Sequence, residues 1–275
     1  MRNRSTGRYG EGVFRPEVAG EADRIDAGAL AYDGVTTARL TALGVGPGWH
    51  CLDVGAGTGT LTRWLLDTAG VESVLAVDRD TRFLATTGDP RLTTLAADLT
   101  APGFGRGLGP FHLVHARFVL MHLRAWRRMI ATLGSLVAPG GVLVLGDAVD
   151  LTTATAPVTP YTTVMRAMWQ ALRESIGTDI SWVPEYPDIL RQEGLQSVAA
   201  EITVPPLLAG SPISRFWADT WHRAHDAMLA TGLVDDAQID QAIRWLSSPD
   251  CAGVSPGLLT AWGWQAEQAT SDRHT

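Results

Sequence analysis

Apolar and polar positions change period twice along this chain. Residues 1–19 are Gly- and Arg-rich with no period and read as an arm; a helical pattern follows from about Glu21 to Leu43, broken near Asp33-Gly34. The next hundred residues alternate short apolar runs with amphipathic stretches. Strands are predicted at 50–54, 73–78, 92–97, 111–116 and 141–147, with helices at about 59–69, 80–86 and 123–137. That alternation builds a parallel sheet from βαβ units. Pro139-Gly140-Gly141 ends the last of these helices and opens the fifth strand.

The character then shifts. Tyr161, Met165, Met168, Trp169, Leu172 and Ile176 form one helical stripe, and Ile213, Phe216, Trp217, Thr220, Trp221, Ala224 and Met228 a second. A third helix spans about Asp235 to Leu246, and residues 187–194 make a short one. Strands at 196–204, ended by Pro205-Pro206, and at 255–264 flank the helical insertion and are expected to pair antiparallel at one sheet edge. The organisation expected is one domain: an arm and helices acting as a lid (1–45), an α/β core (46–150), and helical cap insertions with the last two strands (151–275).

Composition narrows the class. With 275 residues, 45% of them apolar and 19% charged, the chain buries a core without disulfides or a structural metal. Cys51 and Cys251 are too few for a disulfide framework or a zinc site. The first residues carry arginines with no apolar run behind them, and no stretch reaches the ~20 apolar residues of a membrane span, so a soluble cytoplasmic protein with no membrane partner is expected. The net charge of −7 argues against nucleic acid, which is held by clustered cations. Arg124, Arg127 and Arg128 are spaced like one solvated helix face. All 22 basic residues are arginine; with the heavy Ala and Gly use this points to a GC-rich coding genome.

The chemistry concentrates in His50-Cys51-Leu52-Asp53-Val54-Gly55-Ala56-Gly57-Thr58-Gly59, a strand running into a glycine turn that opens a helix. Such a turn lets backbone approach a ligand and aims free amides at it. Nineteen residues after Gly59 a second strand ends in Asp78, where a carboxylate can accept both hydroxyls of a ribose. Twenty residues further Asp98-Leu99 follows, suited to an adenine amino group and ring. A dinucleotide fingerprint needs a third glycine, or Ala, at Thr60; the pattern here is Gly55-x-Gly57-x-Gly59 instead.

On Asp53, Gly55/57/59, Asp78, Asp98 and Pro139-Gly140-Gly141, between Trp49 and about Asp147, the chain resembles the class I S-adenosylmethionine-dependent methyltransferases. Its flanks, Gly20-Glu21-Ala22 onward and Gly210 to Trp217 with Ala261-Trp262-Gly263, look like small-molecule enzymes of actinobacterial type. The resemblance implies a Rossmann-like, mostly parallel seven-stranded sheet with an antiparallel edge hairpin and a helical cap. It also implies S-adenosylmethionine as cofactor and S-adenosylhomocysteine as product. Gly55, Ala56 and Gly57 would support the methionine part, Asp78 with Arg79 the ribose, and Ala97, Asp98 and Leu99 the adenine. Asp53 either touches the cofactor or only holds the turn.

Base-methylating enzymes resemble one another in an Asn/Asp-Pro-Pro-aromatic run after the fourth strand. Here that segment reads His115-Ala116-Arg117-Phe118, which also lacks carboxylates for metal-assisted catechol chemistry. A metal-independent methylation of an apolar or aromatic small molecule is expected, at oxygen, in natural-product biosynthesis. Cyclisation or isomerisation with the cofactor as a structural ligand, and N- or C-methylation, are the alternatives. A hydroxyl acceptor needs a base. His115 is the first candidate to line the site, by backbone contact to the cofactor or by side chain; His222 and His225 are further candidates for the base, and His122 reads equally as a packing residue. The acceptor pocket is expected from Phe118, Tyr161, Met165, Trp169, Trp217 and Trp221, closed over by Tyr9 and Phe14. Trp169, Trp182, Trp217 and Trp221, four of the ten tryptophans, fall in the cap that sets acceptor choice. Monomer and homodimer are both left open.

Overall fold

The computed structural model describes residues 7–84, 88–153 and 156–267. Strands β1 (His50–Val54), β2 (Ser73–Asp78), β3 (Leu92–Ala96), β4 (Phe111–Arg117) and β5 (Val137–Val149) run parallel. Strand β6 (Gln196–Thr203) follows, then the short β7 (Pro206–Leu208) and β8 (Ala252–Val254), and last β9 (Gly257–Trp264). The main sheet has the order β3-β2-β1-β4-β5-β9-β6, with β9 antiparallel to both of its neighbours. This is the Rossmann-like class I methyltransferase sheet expected above, with β6 and β9 paired at one end of it.

Alternation along each strand sends side chains to two cores. Leu52, Val54, Val114 and Leu143 join Met129, Ile130 and Leu133 of helix α3 (Trp126–Ser135) on one face. Cys51, Leu113, Val142 and Val144 join Leu40 of helix α1 (Glu21–Ala42) and Leu61 of helix α2 (Thr60–Trp64) on the other. Helices α4 (Pro160–Ile176), α6 (Pro212–Leu229) and α7 (Asp236–Ser247) form a third cluster around Met165, Met168, Trp221 and Met228; the short α5 (Tyr186–Gln192) packs under the sheet. Side-chain caps explain where the cap helices begin. Thr159 with Thr162 and Asp235 with Gln238 make reciprocal capping boxes, and Ser211 accepts from the Ser214 amide. Among the described residues no helix is long and apolar enough to cross a membrane.

Several expectations change. Helix α1 is unbroken, because Asp33 is the residue that pins it to the sheet: Arg117 donates to its carboxylate at 2.5 Å and to Thr36 Oγ1 at 2.8 Å. Between Asp78 and β3 only a single 3₁₀ turn, Thr81–Phe83, replaces the predicted helix, whose positions 85 and 86 lie outside the described residues. Residues 120–122 form a 3₁₀ turn of their own before α3. Strand β5 starts earlier than predicted, since Pro139-Gly140-Gly141 lies in a register shift against β4; a Cβ on Gly141 would meet the His112 carbonyl at 2.8 Å. Strand β6 ends before Pro205-Pro206 as expected, and Pro206 then opens the unforeseen β7–β8 ribbon. Trp182 belongs to the sheet core, stacked on Trp126 at 3.8 Å, and not to the cap pocket.

Candidate active site

The site is built at the carboxyl ends of β1, β2 and β4, where the strands stop at different heights. After Val54 the chain turns through Gly55 (φ 69°), whose amide donates to the Val77 carbonyl at 2.7 Å. A Cβ there would meet Val119 Cγ2 at 2.2 Å, so only glycine fits beneath the loop that follows β4. Gly57 (φ 56°) donates its amide to Asp78 Oδ2 at 2.9 Å, and the Asp80 amide reaches Oδ1 at 3.1 Å. Burial pushes the Asp78 carboxyl up from its ordinary value, while these amides oppose the shift.

One cavity of about 610 Å³ opens beside this turn. Asp53, Gly55, Ala56, Gly57 and Asp78 line it, as do Arg79, Ala97, Asp98, Leu99 and His115; all ten positions suggested for the cofactor thus meet in one place. Asp98 at the far end takes the Thr100 amide and hydroxyl on Oδ1 and Arg8 Nη1 on Oδ2 at 2.6 Å. Those bonds hold its carboxyl below the usual range, with Thr100 the main cause. Asp53 is buried and accepts from the Thr62 hydroxyl at 2.8 Å, so it holds the turn through a side chain of α2. Its other oxygen lies 3.0 Å from His115 Nδ1. A carboxylate only accepts, so Nδ1 is the donor of this pair. His115 is 3% exposed, within β4 and not at its end.

The other histidines divide. His122 also lines the cavity, with Nδ1 2.8 Å from Thr178 Oγ1 and its ring against Tyr9; burial, aided by Arg24, pushes its pKa down to about 3, so it is neutral. The expectation of a base at His222 or His225 is corrected. His222 is exposed, and His225 Nε2 faces Asp236 of α7 at 3.1 Å; neither lines the cavity, because α6 turns its apolar stripe inward and this face outward. Of the expected acceptor residues, Tyr9, Phe14, Phe118, Trp169 and Trp217 line the cavity. Tyr161, Met165 and Trp221 do not: they are buried where α4, α6 and α7 meet. Phe118 holds φ at 56°, unusual for an aromatic residue, while its amide donates to Gly146 at 2.7 Å.

Sequence reasoning passed over Glu21 and Arg24, buried at 1% and 4% exposure on the first turn of α1 and facing the cavity. Their i, i+3 spacing next to a helix start was the available clue. Among the described residues no group of three or more His, Cys, Asp and Glu is placed to hold a metal ion.

Residues 52–143 match the family model described as a methyltransferase domain. A comparison with curated protein sequences found no match. Among solved structures, phosphoethanolamine N-methyltransferase 2 of Haemonchus contortus, in complex with phosphomonomethylethanolamine and S-adenosylhomocysteine, superposes with a TM-score of 0.55 at 15% identity. The alignment covers 85% of this chain and 53% of that one, so the chain spans about half the length of that enzyme. The YcgJ protein of Bacillus subtilis gives a TM-score of 0.56 at 15% identity, covering 86% of this chain and 100% of the other. The [4+2]-cyclase SpnF gives 0.50 at 15% identity, covering 86% and 81%. Residues 52–143 thus resemble a methyltransferase domain, and the sheet that holds them has the Rossmann-like class I methyltransferase fold. The residues fit S-adenosylmethionine: the turn at Gly55 has no room for a side chain, and acidic groups stand at the ends of β2 and β3 beside one continuous cavity.

Proposed function

We propose that the protein is a cytoplasmic enzyme of natural-product biosynthesis that transfers the methyl group of S-adenosylmethionine to a hydroxyl of an apolar or aromatic small molecule. The observation that carries this reading is the continuity of the cavity. Its acidic, glycine-lined end runs without a partition into a wall of Phe14, Phe118, Trp169 and Trp217, with the Asp53–His115 pair in the lining. Pockets for small apolar ligands have this make-up, mainly aromatic with a few placed polar groups. The net charge of −7 favours such an acceptor over nucleic acid.

When bound, the cofactor supplies an electrophilic methyl group on a sulfonium. The chain's own contribution is to orient and to keep water out. Asp78 and Asp98 would hold the nucleoside, and the turn at Gly55–Gly57 would support the methionine part. Asp53 fixes the His115 ring, the group proposed to take the proton of an acceptor hydroxyl. The reading is tested by calorimetry with S-adenosylmethionine, then by turnover against paired phenolic and amine acceptors in wild type and His115→Gln. Methyl ether and S-adenosylhomocysteine from wild type, with turnover lost but cofactor binding kept in the variant, are expected. A wild type that binds no cofactor overturns it, and methylated amines redirect it to nitrogen.

The fold likeness to a [4+2]-cyclase supports a second reading, in which the same cavity folds a substrate for cyclisation and the cofactor stays intact. Turnover without S-adenosylhomocysteine is its signature.

A further inference from the structure

Two tryptophans form an inner corner of the cavity. Trp169 of α4 and Trp217 of α6 stand edge to face, their ring centroids 6.0 Å apart and their planes at 75°. The indole N–H of each is taken up behind the wall. Trp169 Nε1 donates to Asp150 Oδ2 at 2.8 Å and Trp217 Nε1 to Ser255 Oγ at 2.8 Å, and neither acceptor lines the cavity. Tyr32, also in the lining, donates its hydroxyl to the Pro256 carbonyl at 3.0 Å. Trp182 and Trp221, buried in the cores, have no partner for their N–H groups. Of these four tryptophans, the chain thus supplies partners to the two that face the cavity.

Those partners are themselves fixed. Asp150 follows β5 directly, takes the Thr152 and Thr153 amides on Oδ1 at 3.2 and 2.9 Å, and shares Oδ2 with the Thr153 hydroxyl. Arg166, three residues before Trp169, donates to the Thr153 carbonyl at 2.6 Å and ties this turn to α4. Ser255 is buried just before β9, and its amide donates to the Pro205 carbonyl at 3.0 Å. The rings therefore come from the cap, while their orientation is set from the end of the sheet. An indole N–H left loose in the wall would ask a ligand for a hydrogen-bond acceptor. With both turned away, the corner offers ring carbon alone. Two rings at 75° suit a third: it can stack on one indole while its edge meets the face of the other.

We infer that this corner is a subsite for an aromatic ring of the acceptor, and that Asp150 and Ser255 are its positioning residues. This rests on the small-molecule acceptor reading above and narrows it from apolar to aromatic. Held in this way, the indoles select a flat ring over a saturated one of the same outline.

The test is calorimetry in the presence of S-adenosylhomocysteine, with naphthol and its fully hydrogenated counterpart, decahydronaphthol, as probes. Wild type is expected to bind naphthol about 5- to 100-fold more tightly, the range for two ring-on-ring contacts. Asp150→Ala and Ser255→Ala should each lose about 3- to 10-fold on naphthol and leave decahydronaphthol unchanged. Trp169→Phe has no N–H to place, so adding Asp150→Ala to it should change neither affinity further. Equal affinity of wild type for the two probes overturns the subsite. Equal losses on both probes, or a double variant whose losses add, would make Asp150 a mere support of its turn and overturn its assignment. If wild type binds neither probe, it is the acceptor reading itself that fails, and the subsite with it.

Discussion

Asp78 is pulled two ways: burial favours its neutral form, while the amides of Gly57 and Asp80 need an acceptor that stays charged. Replacing it with alanine removes the acceptor that shapes the turn, and with it the group proposed to hold the ribose. Asp78→Ala should weaken S-adenosylhomocysteine by about 1.5–3 kcal/mol in calorimetry, while Asp78→Asn, which keeps a carbonyl for one amide, loses less. Asp147 presents the opposite case. It is 1% exposed, takes the Tyr186 hydroxyl and the Met121 amide on Oδ2, and leaves Oδ1 without a partner. Burial pushes its pKa up to about 7, above the ordinary 3.8. A folded state that holds its proton longer than the unfolded one loses stability as pH rises between those values. The thermal midpoint of Asp147→Asn relative to wild type should therefore climb from about pH 4 to about pH 7 and then level off, as differential scanning calorimetry would record; a pH-independent difference would show that Asp147 does not titrate there.

At the scale of elements, orientation separates what was legible from what was not. Strands β1 and β2 were readable to the residue, because each is an apolar run stopped by its own turn, Val54-Gly55 and Asp78-Arg79. The glycine-turn end of the cavity came with them, since Asp53, Asp78 and Asp98 lie within or just beyond the ends of readable strands. The cap helices were also readable, yet their rotation about their own axes was not. His222 and His225 sit on a correctly placed helix and face away, and Tyr161, Met165 and Trp221 point into the seam among α4, α6 and α7. Which half of a stripe faces a cavity depends on partners far away in sequence. Trp221, fully buried, separates the two roles: Trp221→Ala should cost about 3–5 kcal/mol in urea unfolding, as large core truncations do. Trp217→Ala, in the cavity wall, should instead shift the ranking of acceptors in a competition assay. If Trp221→Ala changes acceptor ranking without loss of stability, its placement in the core is wrong.

At the scale of the whole molecule, the arm expected to close over the pocket lines the cavity through Tyr9 and Phe14. Arg8 reaches Asp98, Tyr9 reaches Arg24, and Gly10 lies against Arg79, so the segment before α1 crosses the mouth of the cavity from the β3 side to the cap. The sequence placed Tyr9 and Phe14 over the pocket, but with glycines at 7, 10 and 12 no period showed that Arg8 would reach Asp98. The sheet carries a different consequence, one of order in time. Strand β9, the last described strand to leave the ribosome, is an inner strand and not an edge. Until Gly257–Trp264 emerges, β5 presents an open ladder from Val142 to Val149, and β6 has no neighbour in the main sheet. Unpaired edges of that length invite pairing with other chains. A chain stopped before Gly257 should therefore collect in the insoluble fraction during synthesis, whereas one stopped after Glu267 should remain soluble; recovery of the shorter chain as a soluble monomer would mean that the parallel half closes its own edge. Closure of this sheet thus waits for its last described strand, β9, to be made.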